Sequence, residues 1–163
     1  MKIATTALIF LSILIVASAS YAADFPISIS AVVLSDNNCT FRTNTASLNF
    51  GNLDPANPLD RTVSTSIQFR CGGRDPWATY NISDNDGLHS TGPDAPRMQN
   101  TADATEYLPY HIDLDPNTGT IRRSTRRNPI WGALTITGTV RGLDYQDVRM
   151  GNYRDTVRIT IEP

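Results

Sequence analysis

The chain has 163 residues, of which 40% are hydrophobic and 18% are charged, and its formal net charge is −2. This length fits a single domain that can bury a core of its own. The slight acidic excess argues against a general nucleic-acid-binding protein, because such proteins are basic, so no nucleic-acid partner is expected.

The first 22 residues have the pattern of an export signal. One cation, Lys2, precedes an apolar run over residues 7–16, and Ser20 and Ala22 fit the −3 and −1 positions of a signal-peptidase site. The apolar run is shorter than the roughly 20 residues that a membrane-spanning helix needs. The sequence therefore predicts a signal peptide over residues 1–22, cleavage after Ala22, and export to the periplasm.

The segment that follows, "DFPISISAVV", alternates between apolar and polar residues. Phe25, Ile27 and Ile29 share one face of this pattern. Strict alternation is typical of a strand with one buried and one solvated face. Pro26 cannot donate a ladder hydrogen bond, which suits a strand at the edge of a sheet.

Cys39 and Cys71 are the two cysteines of the chain. In an exported protein an even pair most often forms a disulfide, and we predict one here. The alternative is a pair of free or metal-bound thiols, although the sequence lacks the CxxC spacing that metal sites favour.

Short alternating runs continue along the chain, and Gly, Pro, Asn, Asp, Ser and Thr separate them. The runs are "ASLNFGNL", "RTVSTSIQFRC", "ATYNIS", "YLPYHIDL", "GALTITGTV" and "NYRDTVRITI". Residues 85–105 and 115–129 are predicted to be long polar connections. About seven or eight short strands in one domain are the pattern of an all-β protein with an antiparallel sandwich.

The last predicted strand, at "TVRITI", has no later segment that could pair with it. Val157, Ile159 and Ile161 form its apolar face and alternate with polar residues. An unpaired apolar strand would expose a row of N–H and C=O groups and leave part of the core uncovered. The sequence therefore predicts an incomplete sandwich that another strand must complete.

No catalytic site is predicted. His89 and His111 fit no metal-binding spacing, and the sequence contains no nucleophile-elbow motif. The segment "DLDPNTG" resembles the start of a calcium-binding loop, but Ser124 stands at the twelfth position, where such a loop needs a bidentate acid. We interpret the segment as a strand that ends in a turn, and we expect no metal or cofactor.

Four arginines follow this turn: Arg122, Arg123, Arg126 and Arg127. We interpret them as a solvated loop. The alternative is that they meet an acidic surface, such as a neighbouring subunit or an anionic polysaccharide.

An ordered set of segments resembles the spore coat protein U domain family, which includes subunits of archaic chaperone–usher pili. The segments are "NCTF…LNFGNLDP", "IQFRC", "RMQN", "YLPYHIDLD", "IWGALTITGTVRG" and "GNYRDTVRITI". The resemblance covers nearly all of the chain after the signal peptide. It implies an incomplete immunoglobulin-like sandwich, which a periplasmic chaperone completes first and the N-terminal extension of the next subunit completes later.

The resemblance also implies roles for particular residues. Residues 23–30 become the donor-strand segment, which inserts Phe25, Ile27 and Ile29, and residues 31–163 become the pilin-like domain. The disulfide joins the first two main strands. The last strand lines the acceptor groove with Tyr153, Val157, Ile159 and Ile161.

The sequence thus predicts a structural subunit of a cell-surface chaperone–usher pilus, polymerised by donor-strand exchange, with a role in adhesion or biofilm formation. The expected partners are a periplasmic chaperone, an outer-membrane usher and other pilus subunits. We expect the leader to be too short to fill the groove of its own chain, so that it enters another copy and makes a head-to-tail fibre. Two alternatives stay open: residues 23–34 could be the first strand of a complete sandwich, or the protein could be a secreted coat or adhesin domain that binds surfaces or glycans.

Overall fold

Strands account for most of the chain in the computed structural model, which describes residues 23–31, 39–125 and 127–162; the predicted signal peptide lies outside these ranges. The described strands are β1 Ala23–Ala31, β2 Cys39–Phe41, β3 Thr45–Leu53, β4 Arg61–Cys71, β5 Trp77–Asp84, β6 Arg97–Asn100, β7 Tyr107–Pro109, β8 His111–Asp115, β9 Thr118–Arg122, β10 Gly132–Val140, β11 Tyr153–Arg154 and β12 Thr156–Glu162. A single helical turn, α1, spans Gly142–Tyr145. The predicted all-β class is confirmed.

Three sheets are formed by these strands. The largest has the order β3-β1-β12-β5-β9, the second has the order β2-β4-β10-β8, and a small third sheet has the order β11-β6-β7. The β4–β10 pair is the longest ladder, and it runs from Gly132 opposite Phe69 to Val140 opposite Arg61. All described pairings are antiparallel except that between β1 and β12.

The core lies where the inward faces of the strands meet. In β10 the buried residues Leu134 and Ile136 alternate with the exposed residues Ala133 and Thr135, because successive side chains of a strand point to opposite faces. β12 shows the same alternation. The period-two pattern in the sequence therefore identified the buried faces of these strands correctly.

The two predicted polar connections both contain a strand. Residues 85–105 include β6, and residues 115–129 include β9. β6 has four residues, and its two buried positions are Met98 and the polar Asn100. β9 buries only Ile121. Strands this short with so few apolar positions give no readable alternation, so the prediction of plain connections was wrong.

The predicted disulfide between Cys39 and Cys71 is present. It links β2 and β4, which are neighbours in the second sheet and hold Cys39 directly opposite Cys71. β3 lies between β2 and β4 in sequence but belongs to the first sheet. The bridge therefore joins adjacent strands of one sheet, and these are not the first two main strands in sequence, because β3 lies between them.

β1 lies in the first sheet of its own chain, between β3 and β12. It pairs antiparallel with β3, from Ala23 opposite Leu53 to Ser30 opposite Thr45, and parallel with β12. The expectation that the leader cannot reach its own groove is therefore wrong, because β1 pairs with both β3 and β12 of its own chain. The arrangement matches the alternative in which this segment is a strand of its own sandwich.

Candidate strand-binding groove

The candidate site is the space between β3 and β12, which we call the groove. In the structure β1 occupies it, and this strand joins the rest of the described fold only through residues 32–38. Removing β1 would leave β3 and β12 without the neighbour that lies between them. The groove is therefore a place where an extended segment completes a sheet, which is a known mode of peptide recognition.

The β12 wall of the groove is apolar on its inner face. Val157, Ile159 and Ile161 are fully buried, whereas Arg158 and Glu162 on the other face are exposed. Ile159 and Ile161 also lie opposite residues of β5 in an antiparallel ladder. The predicted alternation of this strand is confirmed, and its apolar face belongs to the core.

The backbone of β12 bonds to different partners on its two sides. The Arg158 N–H donates to Asn85 Oδ1 (2.8 Å), and the Arg158 carbonyl accepts from the Asn85 N–H (3.2 Å), both on the β5 side. Because backbone groups of successive strand residues point to alternate sides, those of Val157 and Ile159 point into the groove. These are the groups that a strand in the groove satisfies.

The β3 wall is formed by Leu48 and Phe50, which are both buried. Gly138 on β10 of the facing sheet lies directly against them: a Cβ there would come within 2.9 Å of Leu48 Cδ1 and of Phe50 Cζ. The absence of a side chain at Gly138 therefore allows the two sheets to approach closely behind this wall. Leu48 is also the register partner of Ile27 in β1.

The predicted donor residues occupy distinct register positions along β1. Ile27 is opposite Leu48, and Ile29 is opposite both Ala46 of β3 and Val157 of β12. The register shifts between Asp24 and Pro26, where Phe25 stands. The structure thus pairs two of the three predicted donor residues with buried residues of the groove walls.

Asp155 anchors the start of β12. It is 4% exposed, and its carboxylate accepts hydrogen bonds from the Tyr110 hydroxyl (2.7 Å) and the Leu88 N–H (3.0 Å). Burial, followed by the hydrogen bond to Asp155, raises the pKa of the Tyr110 hydroxyl well above its ordinary value. Tyr110 therefore stays a hydrogen-bond donor, and the pair fixes where β12 begins.

The same carboxylate restricts the loop after β5. Gly87 has a φ of 84°, and a Cβ there would lie 2.0 Å from Asp155 Oδ2. Only glycine fits this combination of backbone conformation and contact. The loop, Tyr110 and the start of β12 are thus packed together at one end of the groove.

Tyr153 is buried but does not lie on the same strand as the other predicted groove residues. It belongs to β11, where it pairs with Asn100 of β6, and its hydroxyl donates to the Arg149 carbonyl (2.6 Å). Burial raises the pKa of Tyr153. The predicted single strand over residues 153–161 is therefore divided at Asp155 into β11 and β12.

The residues considered for other chemistry do not assemble into a metal site. Within the described ranges, no group of three or more His, Cys, Asp or Glu residues could hold a metal ion. His111 is exposed on β8, and His89 is half-buried, with its ring centroid 6.0 Å from that of Tyr107. No described helix is both long enough and apolar enough to cross a membrane.

The arginines after β9 have different environments. Arg122 and Arg127 are exposed, as the loop interpretation expected, and Arg126 lies outside the described residues. Arg123 is half-buried, and its guanidinium donates to the Trp77 carbonyl (2.8 Å) and to the Gly72 carbonyl. Arg123 is therefore a structural residue that holds the β4–β5 connection in place.

Sequence reasoning missed Asp155 and Asn85, although one of them gives a signal. Asp155 belongs to the same every-second-residue pattern as Tyr153, Val157 and Ile159. An acid therefore stands at a position where the alternation requires an apolar residue. A buried acid must find hydrogen-bond donors, which marks the position for attention. Asn85 gives no comparable signal, because it stands in a polar segment of the kind that forms loops.

Comparison with protein families matches residues 24–160 to the Spore Coat Protein U domain. The chain belongs to the Spore Coat Protein U domain family. The resemblance inferred from the sequence is confirmed, and this membership supports a structural, non-enzymatic protein of the pilus-subunit type. No curated protein matches the sequence.

Among solved structures, one similar chain is CfaE, the adhesive subunit of CFA/I fimbria of enterotoxigenic Escherichia coli. The two sequences are 9% identical, and the TM-score is 0.33. The match covers 82% of this chain and 45% of CfaE, so this spore coat protein U domain spans less than half of that chain.

Proposed function

We propose that this protein is a structural subunit of a cell-surface chaperone–usher pilus and that it polymerises by donor-strand exchange. The observation that carries the proposal is the position of β1, an N-terminal strand that fills a groove between two strands of the domain. In the polymer the same segment leaves its own groove and fills that of the next copy.

The groove has the properties that such an exchange needs. Without β1, the backbone groups of Val157 and Ile159 that point into the groove lose their partners, and so does the facing edge of β3. Open strand edges of this kind pair readily with segments of other chains. An empty groove is therefore unfavourable, and a strand from the same chain or from another chain is expected to fill it.

Exchange between identical chains replaces an internal strand with an equivalent strand from a neighbour. This is the relation seen in domain swapping, and a heterologous contact whose rotation does not close a ring extends into a fibre. The β1–β12 pairing within the chain is parallel and short, with four register pairs. A strand from a neighbour that runs in the opposite direction would pair antiparallel with β12 and parallel with β3, so the two states differ in which wall of the groove carries the antiparallel ladder.

The remaining parts of the proposal follow from the family resemblance. A periplasmic chaperone would hold the groove before assembly, and an outer-membrane usher would deliver the subunit to the cell surface. The predicted signal peptide over residues 1–22 is consistent with that route. The finished fibre would act in adhesion or biofilm formation.

The proposal is tested with matched substitutions at adjacent positions of β1. Ile27 is opposite buried Leu48, whereas Ser28 is opposite Ser47, which is exposed. Ile27→Asp would place an aspartate at the position paired with buried Leu48, and a carboxylate in an apolar environment costs several kcal/mol. Ser28→Asp adds the same charge at a position whose β3 partner is solvated.

The measurement is the SDS-resistant ladder of polymers isolated from cells and analysed without boiling. Ile27→Asp should abolish the ladder while the subunit still binds its chaperone, and Ser28→Asp should retain the ladder. A full ladder from Ile27→Asp would show that β1 is not the donor strand. Loss of chaperone binding by the same variant would show that β1 belongs permanently to the fold of its own subunit.

A further inference from the structure

One end of the sandwich is rich in exposed arginine. We call this end, formed by residues 40–42, 70–77 and 122–131, the Arg-rich end. Its exposed arginines are Arg42, Arg70, Arg74, Arg122 and Arg127. Across the described part of these ranges, Asp75 is the one acidic residue. Hydrogen bonds such as that from the Ser124 N–H to the Cys71 carbonyl (2.8 Å) hold the three segments together.

Two tryptophans lie among these arginines. The Trp131 ring is flanked by the guanidinium groups of Arg42 and Arg70, whose Cζ atoms are 5.5 Å and 5.1 Å from the ring centroid. Trp77 is 59% exposed and lies opposite Arg122 across the β5–β9 ladder. Arginine and tryptophan are the residues most enriched at the energetic centres of protein interfaces, so the surface has the composition of a docking site.

The opposite end of the sandwich has the opposite charge. We call it the Asp-rich end, and it is formed by Asp60, Asp84, Asp86, Asp94 and Asp144. β4 begins next to this end at Arg61 and finishes at the Arg-rich end at Cys71. At a rise of about 3.3 Å per residue, its 11 residues place the two ends about 33 Å apart.

The Asp-rich end is concave. A cavity of about 720 Å³ is lined by Asp60, Asp94 and Asp144, and a neighbouring cavity of about 470 Å³ is lined by Asp84, Asp86 and Asp94. The arginines close to these cavities are already engaged: Arg141 pairs with Asp144 (2.9 Å), and the Arg97 guanidinium donates to the His89 carbonyl (2.6 Å). The aspartate charges are therefore only partly neutralised within the chain.

We propose that the Arg-rich end of one subunit docks on the Asp-rich end of the next copy of the same chain. This inference rests on the head-to-tail assembly proposed above and adds a second contact to it. Two identical chains can meet end to end in three ways, and only this one brings opposite charges together. Such complementarity speeds the encounter and selects the orientation of the partners.

The path of the chain agrees with this orientation. β2 begins at Cys39, opposite Cys71, so the leader joins its own domain at the Arg-rich end. β12 begins near the Asp-rich end, where Asp155 contacts Leu88, and runs away from it. A leader that crosses the proposed junction therefore enters the next groove from the Asp-rich end and runs antiparallel to β12, opposite to β1 in its own chain.

The experiment compares growth rates of purified subunits in which one end or both ends are altered. Arg74→Glu reverses a charge at the Arg-rich end, and Asp94→Arg reverses one at the Asp-rich end. Both side chains are exposed. Asp94→Asn serves as a milder second variant, because Asp94 has a φ of 57° and asparagine tolerates this conformation. Ser66→Glu, at an exposed position in the middle of β4 and between the two ends, adds a charge outside both of them and is the control.

Polymer growth is followed by light scattering at about 0.02 M and about 0.5 M salt, where exposed charges are weakly and strongly screened. Arg74→Glu and Asp94→Arg should each slow growth on the order of tenfold at low salt and much less at high salt. Asp94→Asn should slow it in the same direction by a smaller factor. The chain with both reversals should grow more slowly than either single variant at low salt, because the complementary charge is then reduced at both ends of every junction.

Three outcomes would overturn the proposal. Growth that does not depend on salt would do so, as would a double variant that grows at the wild-type rate at low salt. So would unchanged growth of Arg74→Glu together with weaker binding to dextran sulfate, because the Arg-rich end would then be a polysaccharide surface. Ile27→Asp separates the two proposals: if it blocks the ladder while the charge variants grow normally, donor-strand exchange stands and the end-to-end contact fails.

Discussion

A single buried carboxylate connects three parts of the chain that surround the last strand. Asp155 ends the short strand β11, and its two hydrogen bonds reach Tyr110 and Leu88 in other segments. Within the described residues, Asp155 and Asn100 are the buried polar or charged side chains. Because a buried carboxylate is costly unless donors satisfy it, this residue makes the start of β12 depend on both neighbouring segments.

Asp155→Ala should therefore destabilise the folded chain. The substitution leaves the Tyr110 hydroxyl and the Leu88 N–H without their acceptor, and each unsatisfied buried donor costs about 1–3 kcal/mol, so we expect a loss of about 2–6 kcal/mol. Asp155→Asn keeps an acceptor oxygen for Leu88 and should cost less. Urea unfolding of the monomer measures both values. If Asp155→Ala is as stable as the wild type, within about 0.5 kcal/mol, the hydrogen bonds at Asp155 do not fix this region.

At the scale of the elements, the sequence identified long strands well and short ones poorly. β4, β10 and β12 follow strict alternation because one face of each packs on the core. β6 and β9 contain few apolar residues and lie in polar segments. The break at Asp155 was missed because both parts of the predicted strand keep the same parity across it.

The groove was only partly predictable for a related reason. Its β12 wall follows from the alternation of Val157, Ile159 and Ile161, which are all buried. The β3 wall depends on Gly138 of a distant strand, which allows Leu48 and Phe50 to pack close to the facing sheet. No local pattern reports such a contact, because it depends on how two sheets approach each other.

The disulfide gives a prediction at this scale, because it ties β2 to β4 at the point where the leader joins the domain. Cys39 and Cys71 are 32 residues apart, and closing a loop of this length contributes roughly 3–4 kcal/mol in the chain-entropy model. The double variant Cys39→Ala, Cys71→Ala should lower the free energy of unfolding by about that amount. The control is urea unfolding with and without a reductant. The reductant should lower the free energy of unfolding of the wild type and should have no effect on that of the double variant. Equal stability of oxidised and reduced wild type would contradict the prediction.

At the scale of the whole molecule, the fold has a groove that one strand of the same chain can fill. β1 lies between β3 and β12 in the first sheet, yet it is joined to the domain by seven residues at one end only. In an isolated chain, β1 can therefore fill its own groove. In the proposed polymer, at high protein concentration, β1 fills the groove of a neighbouring chain. Both states satisfy the same backbone groups of β3 and β12, so the balance between them depends on concentration and on the contacts between neighbouring subunits.

Deletion of residues 23–31 should leave the groove between β3 and β12 empty, so that its binding of a strand can be tested directly. The shortened chain exposes the unpaired sides of β3 and β12 and should aggregate or form irregular oligomers. A synthetic peptide of residues 23–31 should bind the groove and restore a monomer. At a free concentration of 100 times its Kd, it adds about 2.7 kcal/mol of stability, and this should raise the midpoint of thermal unfolding by several degrees.

The peptide also distinguishes specific pairing from general hydrophobic binding. A peptide with Ser28→Asp should rescue the shortened chain nearly as well as the natural one, because Ser28 is opposite exposed Ser47. A peptide with Ile27→Asp should fail, because Ile27 is opposite buried Leu48. Size-exclusion chromatography and thermal unfolding report both results. If the shortened chain is already a monodisperse monomer with the wild-type midpoint, β1 contributes nothing to the first sheet, and β12 must find its partner in another part of the chain.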